Sequence, residues 1–228
     1  MKVAVVVFPG SNCDRDTAHA VRLAGAEAEL VWHERVELGG ADAVIVPGGF
    51  AHGDYLRAGA IARFSPVMAA LREHAERDGL VLGICNGFQV LTEARLLPGV
   101  LRRNTTLRFE NRWVRLAVER VDTPFTRAVP AGMTLRMPIA HGEGAYWLPD
   151  AELDRLEAAG QVLFRYAAPE GNPNGSLRDI AGVTNERGNV CGLMPHPERS
   201  SEALLGSDDG LLVMRSLVES MAAVGAAA

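Results

Sequence analysis

The chain has little that would staple it, anchor it or hold it on nucleic acid. Only three cysteines occur in 228 residues, at positions 13, 85 and 191. An odd number at such spacings cannot form a fully paired disulfide framework and does not match the ligand spacing of a zinc site. No metal is therefore expected, and a reducing cytoplasm is the compartment that fits. Long apolar runs are missing too. The N-terminal "KVAVVVF" ends at Pro9-Gly10, too short for a membrane span and without a small-residue cleavage pattern, so it reads as a strand. Positive charge is not in excess: 23 Lys and Arg stand against 28 Asp and Glu, a net charge of −5. That balance gives no general attraction to phosphate backbones or anionic membranes, so neither nucleic acid nor membrane is an expected partner. A G-x-x-x-x-G-K-[ST] phosphate cradle is absent from the sequence. No linker, repeat or low-complexity segment divides the chain, and 48% hydrophobic residues suffice to bury a core without cross-links. A single domain over 1–228 is expected.

What is present is a rhythm of short apolar, β-branched runs with helical patterns between them. The runs are "KVAVVVF" (2–8), "AELVWH" (28–33), "DAVIVPGG" (42–49) and "GLVLGIC" (79–85). The intervening stretches 16–26, 58–79 and 86–99 read as helices, the last ending at Pro98-Gly99. This alternation predicts an α/β fold, an open, mostly parallel sheet flanked by helices. From about residue 100 the pattern changes, and "RWVRLAVERV" (112–121) and "MTLRMPIA" (133–140) predict additional antiparallel strands in the second half. The alanine-rich tail after Ser220 reads as a helix end. Open α/β sheets bind ligands at the carboxyl ends of their strands, and three of the four strand ends here carry glycine: Gly10, Gly48-Gly49 and Gly83.

Cys85 lies in "GICNGFQ" (83–89), between Gly83 and Gly87 and directly after an apolar run. A lone cysteine is usually a small buried hydrophobe. A G-x-nucleophile-x-G segment between strand and helix, however, makes a tight, strained turn that presents its central side chain. A helix N-terminus favours a thiolate only modestly, so a catalytic thiol also needs a neighbouring cation, commonly histidine. Of six histidines, His19, His33 and His74 have ordinary readings in elements, and His52 and His141 lie in glycine-rich loops. His196 stands apart because "MPHPER" (194–199) places Glu198 two residues later. In an extended segment i and i+2 share a face, which would set a base beside an orienting carboxylate. Such a pair could equally be a surface salt bridge.

The two elements together, G-x-C-x-G-x-Q and a distant H-P-E, resemble the class I glutamine amidotransferases, whose fold is flavodoxin-like. "FPGSNCDRD" (8–16), "PGGFAHGDYLRAGAIA" (47–62), "GICNGFQVL" (83–91), "MPIAHGEG" (137–144) and the stretch from "NPNGS" to "PHPERS" (172–200) are similar to the glutamine amidotransferase subunits of phosphoribosylformylglycinamidine synthase. The resemblance implies a catalytic triad of Cys85, His196 and Glu198, in which Cys85 forms a γ-glutamyl thioester. It implies oxyanion donors at Gly49 and Asn86, and glutamine contacts by Gln89 and by the loop carrying His141, Gly142 and Glu143. It further implies that ammonia passes to a large synthetase subunit, with a small accessory subunit, in purine biosynthesis. No cofactor is expected in this chain, and ATP and Mg are expected on the synthetase partner. At Ala51 and His52 the pattern would place serine and tyrosine. The segment 101–115, with Arg102, Arg103, Arg108, Arg112 and Arg115, is a candidate docking surface or a solvated strand and loop. Cys13 and Cys191 read as structural or incidental.

Two other classes share these features. A free-standing cysteine hydrolase or peptidase would keep the thiol chemistry but ignore free glutamine. A redox sensor or binding module could carry an elbow cysteine with no need of the His196 and Glu198 pair.

Overall fold

The computed structural model describes residues 1–225. β1 (Lys2–Val7), β2 (Glu27–Trp32), β3 (Ala43–Val46), β4 (Leu80–Ile84) and β11 (Val190–Leu193) form one half of a nine-stranded sheet, paired in parallel in the order β2-β1-β3-β4-β11. β10 (Ile180–Thr184), β9 (Val162–Ala167), β6 (Glu110–Val118) and β7 (Thr134–His141) continue it as four antiparallel ladders. A separate pair joins β5 (Val100–Arg102) to β8 (Ala145–Trp147).

Burial follows strand position. Every residue of β3, β4 and β11 is buried, as are Val3 to Val6 of β1. Continuous apolar runs are what strands covered on both faces require. β2, at the sheet edge, instead leaves Glu27, Leu30 and Trp32 exposed. α1 (Asp14–Leu23) turns Thr17, Ala18, Ala20 and Val21 inward, with Asp14 and Asp16 in its first turn and Arg22 in its last, the charge order that suits a helix dipole.

Two helices are shorter than the sequence pattern suggests. The predicted 58–79 helix is α-helical only over α2 (Val67–Glu76). Gly59 lies at φ +79°, outside helical space, and Pro66 can start a helix but cannot continue one. The predicted 86–99 helix ends as α3 (Asn86–Glu93), because Arg95 adopts a left-handed φ of 58°. α4 (Asp150–Ala158) and α5 (Asp209–Gly225) complete the set; residues 226–228 of the expected tail lie outside the described residues. Among the described residues no helix is long and apolar enough to cross a membrane.

Candidate active site

The crevice at the carboxyl ends of the parallel strands is built by three chain turns. At the end of β4, Cys85 adopts φ 49° and ψ −104° and serves as the N-cap of α3. This is a sparsely populated conformation for a residue with a Cβ, and such strain concentrates at functional sites. It is held from both sides: the Cys85 N–H donates to the Leu193 carbonyl at 2.8 Å, and α3 packs so closely that a Cβ on Gly87 would lie 1.9 Å from the Val46 carbonyl oxygen. The sulfur sits 3.6 Å from the Ala140 carbonyl oxygen.

His196 follows β11, the strand next to β4, and its N–H is fixed by the Pro138 carbonyl at 2.9 Å. Its Nδ1 lies 2.6 Å from Glu198 Oε1, and both side chains are fully buried. The pairing arises differently from the expected extended segment. His196 itself is extended, but Glu198 belongs to the short 3₁₀ turn Pro197–Ser200, which folds the carboxylate back onto the ring. Nε2 is buried and makes no hydrogen bond among the described residues. Burial opposes a charged imidazole here, but the Glu198 carboxylate and the Cys85 sulfur outweigh it and hold the His196 pKa well above the usual range. An imidazolium is thereby favoured beside the Cys85 thiol.

Sequence reasoning missed Cys13 as a neighbour of this pair. Its sulfur lies 3.9 Å from His196 Nδ1 and accepts a hydrogen bond from Arg199 Nη2 at 3.1 Å. As the N-cap of α1 it belongs to a turn that becomes adjacent to residue 196 only through the order β1-β3-β4-β11. Burial pushes the Cys13 thiol up despite His196 and Arg199, and burial likewise raises Cys191.

The third turn, after β3, presents backbone donors. Ser11 and Gly49 form an isolated antiparallel bridge flanked by bonds from Asn12 to Gly48 and from Phe50 to Gly10. In such a pair the N–H of the central residue points away from its partner strand, which leaves Gly49 free to donate elsewhere. Asn86 is the first residue of α3, and its N–H is among those a helix start leaves without an internal partner. The Asn86 side chain binds the same region together: Oδ1 accepts from Ala51 N–H at 3.0 Å, while Nδ2 donates to Gln89 Oε1 at 2.9 Å and Asp54 Oδ1 at 3.1 Å.

Cys85 opens on a cavity of about 250 Å³ also lined by Gly49, Asp54, Gln89, His141, Gly142 and Glu143. Gln89 Nε2 donates to the Glu143 carbonyl at 2.5 Å. The His141 ring is a brace for its loop. Its Nδ1 faces Asn104 Oδ1 at 3.1 Å and its Nε2 faces Asn174 Nδ2 at 3.5 Å. Burial lowers its pKa to about 4, so it is neutral, with both nitrogens engaged in fixing the loop. Asp54, unremarked in the sequence, has its pKa raised to about 6 by burial and by Glu143. Of the five arginines in 101–115, Arg112 pairs with Glu110, Arg115 with Glu170 and Arg102 stacks on Trp147; Arg103 and Arg108 line the cavity. A larger cleft of about 880 Å³, among Arg63, Glu93, Pro98 and Arg155, contains none of Cys85, His196 and Glu198.

This fold is that of the glutamine amidotransferases: a glutamine amidotransferase from Thermotoga maritima superposes with a TM-score of 0.62 over 97% of both chains at 20% identity. Residues 1–208 match the family of CobB/CobQ-like glutamine amidotransferase domains. The chain is 56% identical over 231 residues to phosphoribosylformylglycinamidine synthase subunit PurQ of Gloeobacter violaceus, covering 98% of this chain and 100% of that protein. It is 59% identical over 218 residues to the PurQ subunit of Rubrobacter xylanophilus, covering 96% and 98%. The structure of PurLQS from Thermotoga maritima matches with a TM-score of 0.88 and 45% identity over 96% of this chain and 98% of that one. The chain belongs to this glutamine amidotransferase family, in the branch of the PurQ subunits.

Proposed function

We propose that this chain is the glutaminase subunit of phosphoribosylformylglycinamidine synthase, a single glutamine amidotransferase domain over 1–228 that hydrolyses L-glutamine and delivers ammonia to a synthetase partner. The observation that carries the reading is Cys85 on its strained turn with the buried His196 and Glu198 behind it, at the floor of a cavity of about 250 Å³. That volume is below the ~300 Å³ where pockets for drug-sized ligands begin. It has room for one amino acid side chain and backbone.

Cys85 attacks the side-chain amide carbon as a thiolate, with the proton held on His196 Nε2. Glu198 keeps Nδ1 occupied, so the ring presents Nε2 to the reacting atoms. The amide oxygen gains negative charge, and the N–H groups of Gly49 and Asn86 are the donors placed to receive it. His196 returns its proton to the nitrogen as the carbon–nitrogen bond breaks, releasing ammonia and leaving a γ-glutamyl thioester. It then takes a proton from water, which attacks the thioester and frees glutamate and the thiol. Gln89, Gly142 and Glu143 shape the substrate end of the cavity, and His141 holds their loop in place.

The chain carries no phosphate cradle, so ATP and Mg act on the large synthetase subunit, which converts formylglycinamide ribonucleotide to formylglycinamidine ribonucleotide in the cytoplasm. A small accessory subunit completes the complex. In the assembled complex, Cys85→Ala should abolish synthesis from glutamine and leave synthesis from ammonium salts largely intact. Loss of both activities would show that Cys85 is structural and overturn the reading.

A further inference from the structure

The start of α1 meets the turn that carries Glu198. Cys13 caps this helix, Asp16 lies in its first turn and His19 three residues further on, a spacing that keeps side chains on one helix face. The Cys13 sulfur accepts from Arg199 Nη2 at 3.1 Å, Asp16 Oδ2 lies 3.9 Å from Arg199 Nε, and His19 Nε2 lies 2.5 Å from Glu202 Oε1. Arg199 follows Glu198 in the 3₁₀ turn Pro197–Ser200, and its N–H returns to the His196 carbonyl at 3.2 Å. Cys13 is itself fixed, because its N–H donates to the Gly48 carbonyl at 3.2 Å. One thiol thus joins the turn after β3 to the turn behind the catalytic pair.

The His196 ring is left little room on that side. Nδ1 lies 2.6 Å from Glu198 Oε1 and 3.9 Å from the Cys13 sulfur, and a Cβ on Gly48 would come within 2.7 Å of Cε1 and 3.2 Å of the same sulfur. Cys13 and Gly48 therefore confine the Nδ1 and Cε1 edge of the imidazole, while Nε2 makes no hydrogen bond among the described residues. Sulfur suits this contact. A thiol is only a weak acceptor, and burial keeps Cys13 in its neutral form, so it fills the space beside Nδ1 without drawing the proton away from Glu198.

We propose that Cys13, held by Arg199, is a positioning residue of the glutaminase: it wedges the His196 imidazole against Glu198 so that Nε2 is presented to Cys85. This role rests on the glutaminase reading and adds a second thiol, one that never touches substrate. Cys13 does not line the cavity on which Cys85 opens, so its loss acts on the chemical step and not on the binding of glutamine.

The test uses the assembled complex carrying Cys13→Ala. The ring then has room to tilt, and kcat for glutamine should fall by roughly 10- to 100-fold, the loss that ångström-scale misplacement of a catalytic group produces, with KM unchanged. Ammonium-driven synthesis should be retained. Iodoacetamide labelling of Cys85 gives a readout that simple loosening of the fold would not imitate, since Cys191 is fully buried and the rate follows the thiolate sustained beside His196. In Cys13→Ala labelling should slow by about 10-fold at about pH 7 and match the unsubstituted rate at about pH 10, above the ordinary thiol range; loosening would quicken it at both. If Cys13→Ala also lowers ammonium-driven synthesis, Arg199→Met, which removes the anchor and leaves the sulfur in place, is read with the same expectation. Unchanged kcat in a variant that retains ammonium-driven synthesis would overturn the proposal, as would a rise in KM that accounts for the whole loss. An unsubstituted complex that releases no ammonia from glutamine would instead overturn the glutaminase reading itself.

Discussion

Gly48 has no side chain because His196 occupies the space one would need. A Cβ there would come within 2.7 Å of His196 Cε1 and 3.2 Å of the Cys13 sulfur. Its backbone φ is not the reason, so the penalty falls on the imidazole and little on the chain. Gly48→Ala should therefore shift the ring away from Cys85 and cut glutamine hydrolysis by about 100-fold, since ångström-scale misplacement of a catalytic group costs that much. The melting temperature should move by only a few degrees, within the ~1–3 kcal/mol typical of local overpacking. Equal loss of activity and of folded protein would refute this account. Asp54 gives a pH test with a definite sign. Its pKa is raised to about 6 by burial and by Glu143, so the carboxyl becomes neutral below that pH and its repulsion of Glu143 is relieved. His141, already neutral above about 4, does not titrate in this range. Protonation of Asp54 therefore favours the folded state, and stability in urea titrations should rise as the pH falls from about 7 through 6. In Asp54→Asn this rise should disappear.

At the scale of elements, the close approach of α3 to β3 does the positioning. Gly87 lets the helix start against the Val46 carbonyl, where a Cβ would be 1.9 Å from the oxygen. No flexible side chain can yield there, because the obstacle is the backbone of a fully buried strand. Gly87→Ala should thus cost roughly 3 kcal/mol or more, at the severe end of overpacking, and urea titration of the isolated chain measures it directly. This turn was legible in the sequence because its signal is local: two glycines around a cysteine between an apolar run and a helical pattern. The His196 and Glu198 pair was legible for the same reason, although a 3₁₀ turn and not an extended segment brings them together. The helix over 58–79 was overread, since alanine, leucine and arginine continue the periodic pattern through Gly59 and Pro66, which interrupt the backbone. Asp54, Cys13 and the Asn86 side chain were not legible as site residues. Their contacts join turns after different strands, and polar residues in loops declare a partner only once the sheet order is known.

For the molecule as a whole, the site ties together the two halves of the sheet. Cys85 directly follows parallel β4, while the His196 N–H is anchored by Pro138 in antiparallel β7, and the Arg136 N–H of that strand is held by Asp209 Oδ2 at the start of α5. A Cβ on Gly210, in the first turn of α5, would lie 2.1 Å from the Pro197 carbonyl oxygen, so this helix also presses on the turn that carries Glu198. With contacts of this kind crossing the sheet, neither half can open and leave the site intact. The three tryptophans offer a direct check. Trp32 lies on edge strand β2 of the parallel half, and Trp113 lies on β6 beside the opposite edge. Variants keeping only one of these two as fluorescent reporter should show the same urea midpoint. That midpoint should also coincide with the loss of far-UV circular dichroism and with the exposure of the buried Cys191 to alkylation. An earlier midpoint at Trp113 than at Trp32 would mean that the antiparallel half unfolds separately.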